Sequence, residues 1–210
     1  MSYERKVLDK SIDQSQGLDV SLLKFFWQIN PFFNSGSKSE SGFLRKLKIF
    51  DLFTDIELWN FSKYLHRRTF EKGEIIFNEG DAGVGFYFIQ QGTVNIVIEK
   101  NHADPEDQRK GGRVVVQLNK NNYFGELALL QDKHSRNATA RAASTCVLLG
   151  IFKPDLDHLI YEKPVIASKL LQSISLIVAN RLYSITQEVR VLKEKLRVSE
   201  EKRKAKKDES

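Results

Sequence analysis

From Arg67 to Phe152 the chain is a succession of short apolar runs, each closed off by a turn, most of them at glycine. Arg67–Phe70 and Glu74–Asn78 flank Lys72-Gly73. Gly85–Gln90 and Thr93–Glu99 flank Gln91-Gly92. Arg113–Leu118 is rich in valine, and Ala140–Ala143 and Cys146–Phe152 follow. Runs this short, with glycine turns between them, are strands rather than helices. The two pairs around Lys72-Gly73 and Gln91-Gly92 read as hairpins. Roughly eight such strands in succession argue for a double-sheet jelly roll or barrel, which protects its strand edges by closing on itself.

The flanks read differently. Asn34–Gly42 is polar and small and reads as a linker. Phe43–Phe53 fits a short helix and a tight turn. Thr54 and Glu57 form a capping box, so a helix starts there; it is expected to bury Ile56, Trp59, Phe61 or Tyr64, and Leu65. Past the strands, Lys153-Pro154-Asp155 opens a helix to about Ile160, and Pro164 opens another at its first position. Neither glycine nor proline occurs after Pro164. A helix of ~40 residues is about 60 Å long. Its first half carries Ile166, Leu170, Ile174 and Ile177. Its second half spaces Val178, Leu182, Ile185, Val189, Leu192 and Leu196 by alternating fours and threes. That is a heptad seam, and it predicts a parallel homodimer through Val178–Leu196. Glu188 would then face Lys193 of the mate, and Lys195 would face Glu200. A single helix turning its apolar side to its own domain is the competing arrangement.

The expected fold is therefore α+β: a β jelly roll with flanking helices and a long C-terminal coiled-coil helix. The expected organisation is an extension and linker over 1–42, a binding domain over 43–163, and the long helix with a basic tail over 164–210.

Charge and chemistry narrow the function. The net charge of +6 comes largely from Lys202–Lys207, so it describes a tail rather than a surface. No helix-turn-helix follows, which argues against sequence-specific DNA binding. One cysteine, Cys146, excludes an intrachain disulfide and reads as an inert core thiol. The four histidines show no metal spacing, and no nucleophile–base set is visible. The chain is expected to be a sensor and not an enzyme, to need no metal, and to be cytoplasmic. No apolar run approaches ~20 residues, so no transmembrane segment is expected. Leu18–Phe33 is crowded with aromatic and aliphatic side chains and needs a partner surface: its own core, its dimer mate, another protein or a membrane surface.

One stretch does not read as simple packing. Phe124-Gly125-Glu126-Leu127-Ala128-Leu129 is followed by Arg136-Asn137-Ala138-Thr139. Glu and Arg are rarely buried unless paired. Glycine ahead of a short helical run exposes backbone N–H groups to an anion, arginine offers a planar fork that suits phosphate, and a carboxylate accepts from sugar hydroxyls. These residues describe a pocket for one phosphate and one sugar.

The same stretch resembles the phosphate-binding cassette of cyclic-nucleotide-binding domains, as found in kinase regulatory subunits, bacterial catabolite activators and the tails of gated channels. Gly80-Asp81, Phe86–Ile89 and Gln91–Val94 resemble that family's glycine turns and strands, and the resemblance covers about Phe43 to Asn180. It implies that Glu126 accepts from the ribose 2′-hydroxyl and that Arg136 binds the cyclic phosphate. The N–H groups of Leu127 and Ala128 would share that charge, and Gly125 would allow close approach. The ligand-binding set is Phe124, Gly125, Glu126, Leu127, Ala128, Arg136, Asn137, Ala138 and Thr139. Asn180 or Arg181 would cap the base from the long helix. Ser135 stands where many kinase-type members have proline, and the Glu-to-Arg spacing is the longer one of the bacterial activators. Asn137 stands where the family's choice of base is read. Cyclic AMP is the expected ligand, with cyclic GMP the alternative. The resemblance implies a cyclic-nucleotide receptor regulating an unidentified effector protein. Two other functions compete with it: a ligand-free dimeric scaffold, and a DNA- or membrane-associated regulator using the basic tail.

Overall fold

The computed structural model describes residues 38–98, 113–131 and 135–208. Leu18–Phe33 lies outside them, as do the side chains of the basic tail. The described residues form two compact units that divide between Lys169 and Leu170.

The first unit opens with helix α1 (Lys38–Leu44), a 3-10 turn (Lys48–Phe50) and helix α2 (Asp55–Ser62). α1 starts inside the stretch read as a linker. Buried Glu40, Phe43 and Leu44 anchor it, so contacts made by its last turns outweigh its serines and glycine. The capping box at α2 is present: Glu57 N–H donates to Thr54 Oγ1 at 3.3 Å, and Thr54 N–H donates to Glu57 Oε2 at 2.7 Å. The buried face of α2 is the expected one only in part: Phe61 and Leu65 are buried as expected, and Ile56 and Trp59 are not. Leu58, Phe61 and Ser62 are buried, with Leu65 just beyond the helix, while Ile56 is 73% and Trp59 44% exposed. Both sets have helical spacing, and the aromatic layer beneath the helix decides between them. Phe61 packs on Phe50 and Phe53 at 5.3 and 6.1 Å.

Eight strands follow: β1 (His66–Phe70), β2 (Ile75–Phe77), β3 (Gly85–Gln91), β4 (Thr93–Ile98), β5 (Arg113–Asn119), β6 (Tyr123–Phe124), β7 (Thr139–Ala142) and β8 (Cys146–Phe152). β6 is too short to show a period, and the sequence reading missed it. The strands form two antiparallel four-stranded sheets, β1-β8-β3-β6 and β2-β7-β4-β5. The jelly roll is as expected, but the two local hairpins are not. The turns at Lys72-Gly73 and Gln91-Gly92 exist, yet each carries the chain from one sheet to the other. β1 pairs with β8 and β2 with β7, and β3 and β4 lie in different sheets.

β3 shows why the sheets stack as they do. Every residue from Gly85 to Ile89 is buried. Tyr87 and Ile89 join the core between the sheets, with Phe70, Phe77, Val94, Phe124, Leu148 and Phe152. Phe86 and Phe88 point the other way (successive strand residues face opposite sides), and Phe88 meets Phe50 at 5.4 Å. One sheet is thus covered on both faces, by its partner sheet and by the N-terminal helical layer. Cys146 is fully buried, its Sγ 3.0 Å from the carbonyls of both Thr93 and Ser144.

Helix α3 (Leu127–Leu130) lies between β6 and β7. α4 (Lys153–Glu162) and α5 (Pro164–Asp208) complete the chain. Asp155 Oδ2 accepts from Phe152 N–H at 2.9 Å and lies 3.0 Å from His66 Nε2, which fixes the start of α4 to β1. Lys169, on the first turns of α5, donates to both Glu57 oxygens at 2.8 and 2.7 Å. That bond and the Thr54 N–H hold the Glu57 carboxyl below its ordinary value of 4.5. The folded state therefore favours the carboxylate. The stabilisation is present above about pH 4.5 and is lost as pH falls through the lower folded-state value. Urea unfolding of wild type and Glu57→Gln should differ clearly at pH 7 and converge near pH 3. An equal difference at both pH values would show that the carboxylate charge is not what matters.

In the second unit Leu182, Ile185, Val189, Leu192 and Leu196 are all exposed along α5, at 44–64%. The helix is compatible with a coiled coil. α5 also contains a window long and apolar enough, by length and composition, to cross a membrane. The sequence expectation rested on the lack of an unbroken apolar run, and that lack still holds. Ser173, Ser175 and Asn180 interrupt the run without making the window polar on average. The core helix of a soluble protein meets the same criterion.

Candidate functional site

The candidate site is built where the turn after β6, helix α3 and the approach to β7 meet the start of β3. Gly125 joins β6 to α3 with φ +84°, a left-handed conformation that L side chains adopt at a cost. Space gives a second reason for glycine here. A Cβ would stand 2.8 Å from Arg136 Nη1 and 2.9 Å from the Gly85 carbonyl oxygen.

Arg136 is 5% exposed, and its partners explain how a guanidinium is tolerated there. Nη2 donates to the Gly85 carbonyl at 2.7 Å, and Nη1 donates to the Gly125 carbonyl at 3.2 Å. Its carbon centre lies 4.0 Å from the ring centroid of Phe77, a cation–π contact. Two carbonyls and one ring therefore fix the plane of the fork. The backbone of Arg136 is pinned as well: its N–H donates to the Asp81 carbonyl, and its carbonyl accepts from Gly80 N–H, both at 2.8 Å. The turn before it is held by Asp81 Oδ2, which accepts from Asn78 N–H at 2.8 Å.

Glu126 is 2% exposed and precedes α3 in helical conformation. Leu129 N–H donates to its carbonyl at 3.1 Å. Ala128 N–H donates to the Gly125 carbonyl at 3.2 Å, so one of the two expected backbone donors closes the helix's own first turn. Ala128 is buried beside Gly83, where a Cβ would stand 3.1 Å from Arg136 Nε and 3.2 Å from Ala128 Cβ. Lys153 Nζ donates to the Leu129 carbonyl at 3.4 Å, and Lys153 N–H donates to the Val84 carbonyl at 3.0 Å. The 83–85 segment, α3 and the start of α4 thus share one junction.

The remaining expected residues divide. Phe124 turns inward, stacked on Tyr87 at 5.4 Å and near Phe77 at 5.9 Å. Its side chain is core, and it contributes to the site by leading the backbone into Gly125. Thr139 is buried, and its hydroxyl accepts from Glu79 N–H at 2.9 Å. Asn137 is exposed and Ala138 half-buried. Asn180 and Arg181 are exposed on α5 in the second unit. Sequence reasoning missed Gly83, Gly85 and Phe77. The Gly83-Val84-Gly85 spacing was a readable signal of close backbone approach. Phe77 gave none, because a strand phenylalanine looks the same above a cation as above a leucine.

Two stacked sheets thus hold a buried arginine and a buried carboxylate at one end, cradled by glycine backbone. Residues 67–163 match the family model of the cyclic nucleotide-binding domain. The chain is similar to the cAMP-dependent protein kinase type II regulatory subunit of Drosophila melanogaster. Identity is 35% over 97 residues, which cover 46% of this chain and 22% of that protein. It is also similar to the cyclic AMP receptor protein of Thermus thermophilus, at 32% over 107 residues, covering 51% of this chain and 46% of that protein. The crystal structure of the Thermus thermophilus catabolite activator protein superposes with a TM-score of 0.56 at 29% identity, covering 69% of this chain and 62% of that one. The chain spans less than half the length of these two curated relatives.

Proposed function

We propose that this chain is a cytoplasmic cyclic-nucleotide receptor, with cyclic AMP as its preferred ligand, that regulates a partner protein. The observation that carries this reading is the burial of Arg136 in a carbonyl and glycine cradle beside buried Glu126. A cyclic phosphate carries a single negative charge, so one guanidinium neutralises it. Arg136 binds that phosphate, Glu126 accepts from the ribose 2′-hydroxyl, and Leu127 N–H shares the phosphate charge. Ala128 N–H, whose bond to the Gly125 carbonyl is long, turns toward the ligand when it enters. Asn137 sets the choice of base, and Asn180 or Arg181 caps it. Ala138 and Thr139 complete the pocket wall. The relatives' names support cyclic AMP as the nucleotide.

Occupancy leaves the pocket through the junction already described. α3 is tied to α4 by Lys153, and α4 leads at Lys163-Pro164 into α5. Ligand shifts the population of that joint, and a parallel homodimer through Val178–Leu196 carries the shift to the effector. Function is regulatory rather than catalytic.

Calorimetry of the full chain against cyclic AMP and cyclic GMP is the direct test. Saturable binding with cyclic AMP the tighter ligand is the expected result, and no heat with either nucleotide would leave the scaffold reading in its place. The dimer is tested separately. Leu182→Asp combined with Val189→Asp should convert a dimer to a monomer in analytical ultracentrifugation, because each charge sits in the seam. A mass unchanged by both substitutions would remove the seam from the account.

A further inference from the structure

α2 turns Ile56 and Trp59 to solvent, three residues apart and so neighbours on the helix surface. Ile160, Tyr161 and Val165 are exposed at the joint between α4 and α5, Tyr161 at 84%. Two contacts bring these elements side by side. Lys169 Nζ meets Glu57 near the start of α2, and the ring of His158 meets that of Tyr64, just past its end, at 5.6 Å. The joint therefore runs antiparallel to α2, with its exposed residues bordering the outer face of that helix. Single exposed apolar residues are ordinary, but five on two adjoining elements mark an interaction surface.

The chain itself holds the occupant. Leu18–Phe33 is a second apolar surplus, and its Leu18, Leu22, Phe25 and Ile29 fall at helical spacing, on one face. It ends at Phe33, five residues ahead of Lys38, where α1 begins. Five residues of extended chain reach about 18 Å at most. α1 has seven residues, and a helix of that length spans only about 10 Å. Arg45, directly after α1, donates to Asp55 Oδ1 on α2 at 2.9 and 2.7 Å. Leu18–Phe33 is therefore tethered within a short reach of the exposed face of α2. A short tether gives an effective concentration in the millimolar range, at which a second copy or an outside protein competes poorly.

We propose that Leu18–Phe33 docks in cis on this surface, its apolar face against Ile56 and Trp59 of α2 and against the α4–α5 joint. The docked segment lies beside the Glu57–Lys169 bond that ties α2 to the first turns of α5.

Photo-cross-linking of the full chain tests this, with p-benzoylphenylalanine in place of Phe25 and an equal mixture of plain and isotope-labelled copies refolded together. The expected products join residue 25 to peptides within 52–63 or 158–166 of the same copy. Isotope-mixed products assign the surface to a second copy and overturn the proposal. Products elsewhere in the chain, or none, leave the surface to an outside partner or a membrane and overturn it too. Fluorescence supplies a second readout, because Trp27 and Trp59 are the two tryptophans of the chain. In the Trp27→Phe full chain, adding Leu22→Asp and Phe25→Asp should shift Trp59 emission to the red and raise its quenching by acrylamide about twofold, as the indole gains contact with water. Ile56→Asp with Val165→Asp should give the same change and remove the cross-links; both side chains are exposed, so the fold does not depend on them. Trp59 emission that neither pair alters overturns the proposal.

Discussion

Replacing Arg136 with alanine should weaken cyclic-nucleotide binding by roughly 10- to 150-fold, the value of one charge-assisted hydrogen bond at ~1.5–3 kcal/mol. The side chain is buried, and its plane is set by the Gly85 and Gly125 carbonyls and by Phe77. The fork is thus pre-organised, so little ordering cost offsets the loss on truncation. The same substitution strips donors from two carbonyls, so the ligand-free protein should also lose stability, by about 1–3 kcal/mol. The two effects separate in one experiment: urea unfolding of each variant alone, then calorimetry on the folded material. Arg136→Lys keeps the charge without the planar fork and should fall between wild type and alanine. Binding by Arg136→Ala within threefold of wild type would remove the arginine from the site.

Gly125→Ala should damage stability and binding together. The left-handed backbone alone costs an L residue ~1–2 kcal/mol. The added Cβ would also press on Arg136 Nη1 at 2.8 Å and on the Gly85 carbonyl at 2.9 Å. The second contact is with backbone and cannot swing aside, so the total should reach roughly 2–4 kcal/mol. Gly73→Ala is the matched control. Gly73 has φ +87°, and a Cβ there meets nothing within 4 Å, so that substitution carries the conformational cost without the crowding. The difference between the two measures the crowding, and only Gly125→Ala should lower nucleotide affinity. If the two variants were equally stable and both bound normally, the close approach of Gly125 to Arg136 would be of no consequence.

Much of this protein could be read before folding was considered. Strand lengths, the turns at Gly73 and Gly92, the Thr54–Glu57 capping box and the unbroken helix after Pro164 are local properties. Local φ/ψ preference and side-chain period are written in adjacent residues. Glu126 and Arg136 stood out for a related reason: a chain rarely places both charges in apolar company without chemistry to justify them.

What neighbours in space decide was not legible. Turns at Gly73 and Gly92 look like hairpin turns, yet β1 pairs with β8 and β2 with β7 across distances in sequence that no local pattern encodes. On α2, Ile56 and Trp59 have the same helical spacing as Leu58 and Phe61, and only the ring of Phe50 beneath the helix selects the second pair. Phe124 looked like part of the binding surface and turned inward, because Tyr87 and Phe77 offered it a stacking partner on each side. The sequence by itself singled out Glu126 and Arg136 and determined the order of most of the strands, turns and helices. The tertiary structure alone decided which strands meet and which face of each element is covered. It also decided that Arg136 would lie between the carbonyls of Gly85 and Gly125, because hydrogen bonds across 51 and 11 residues exist only once the chain has folded back on itself.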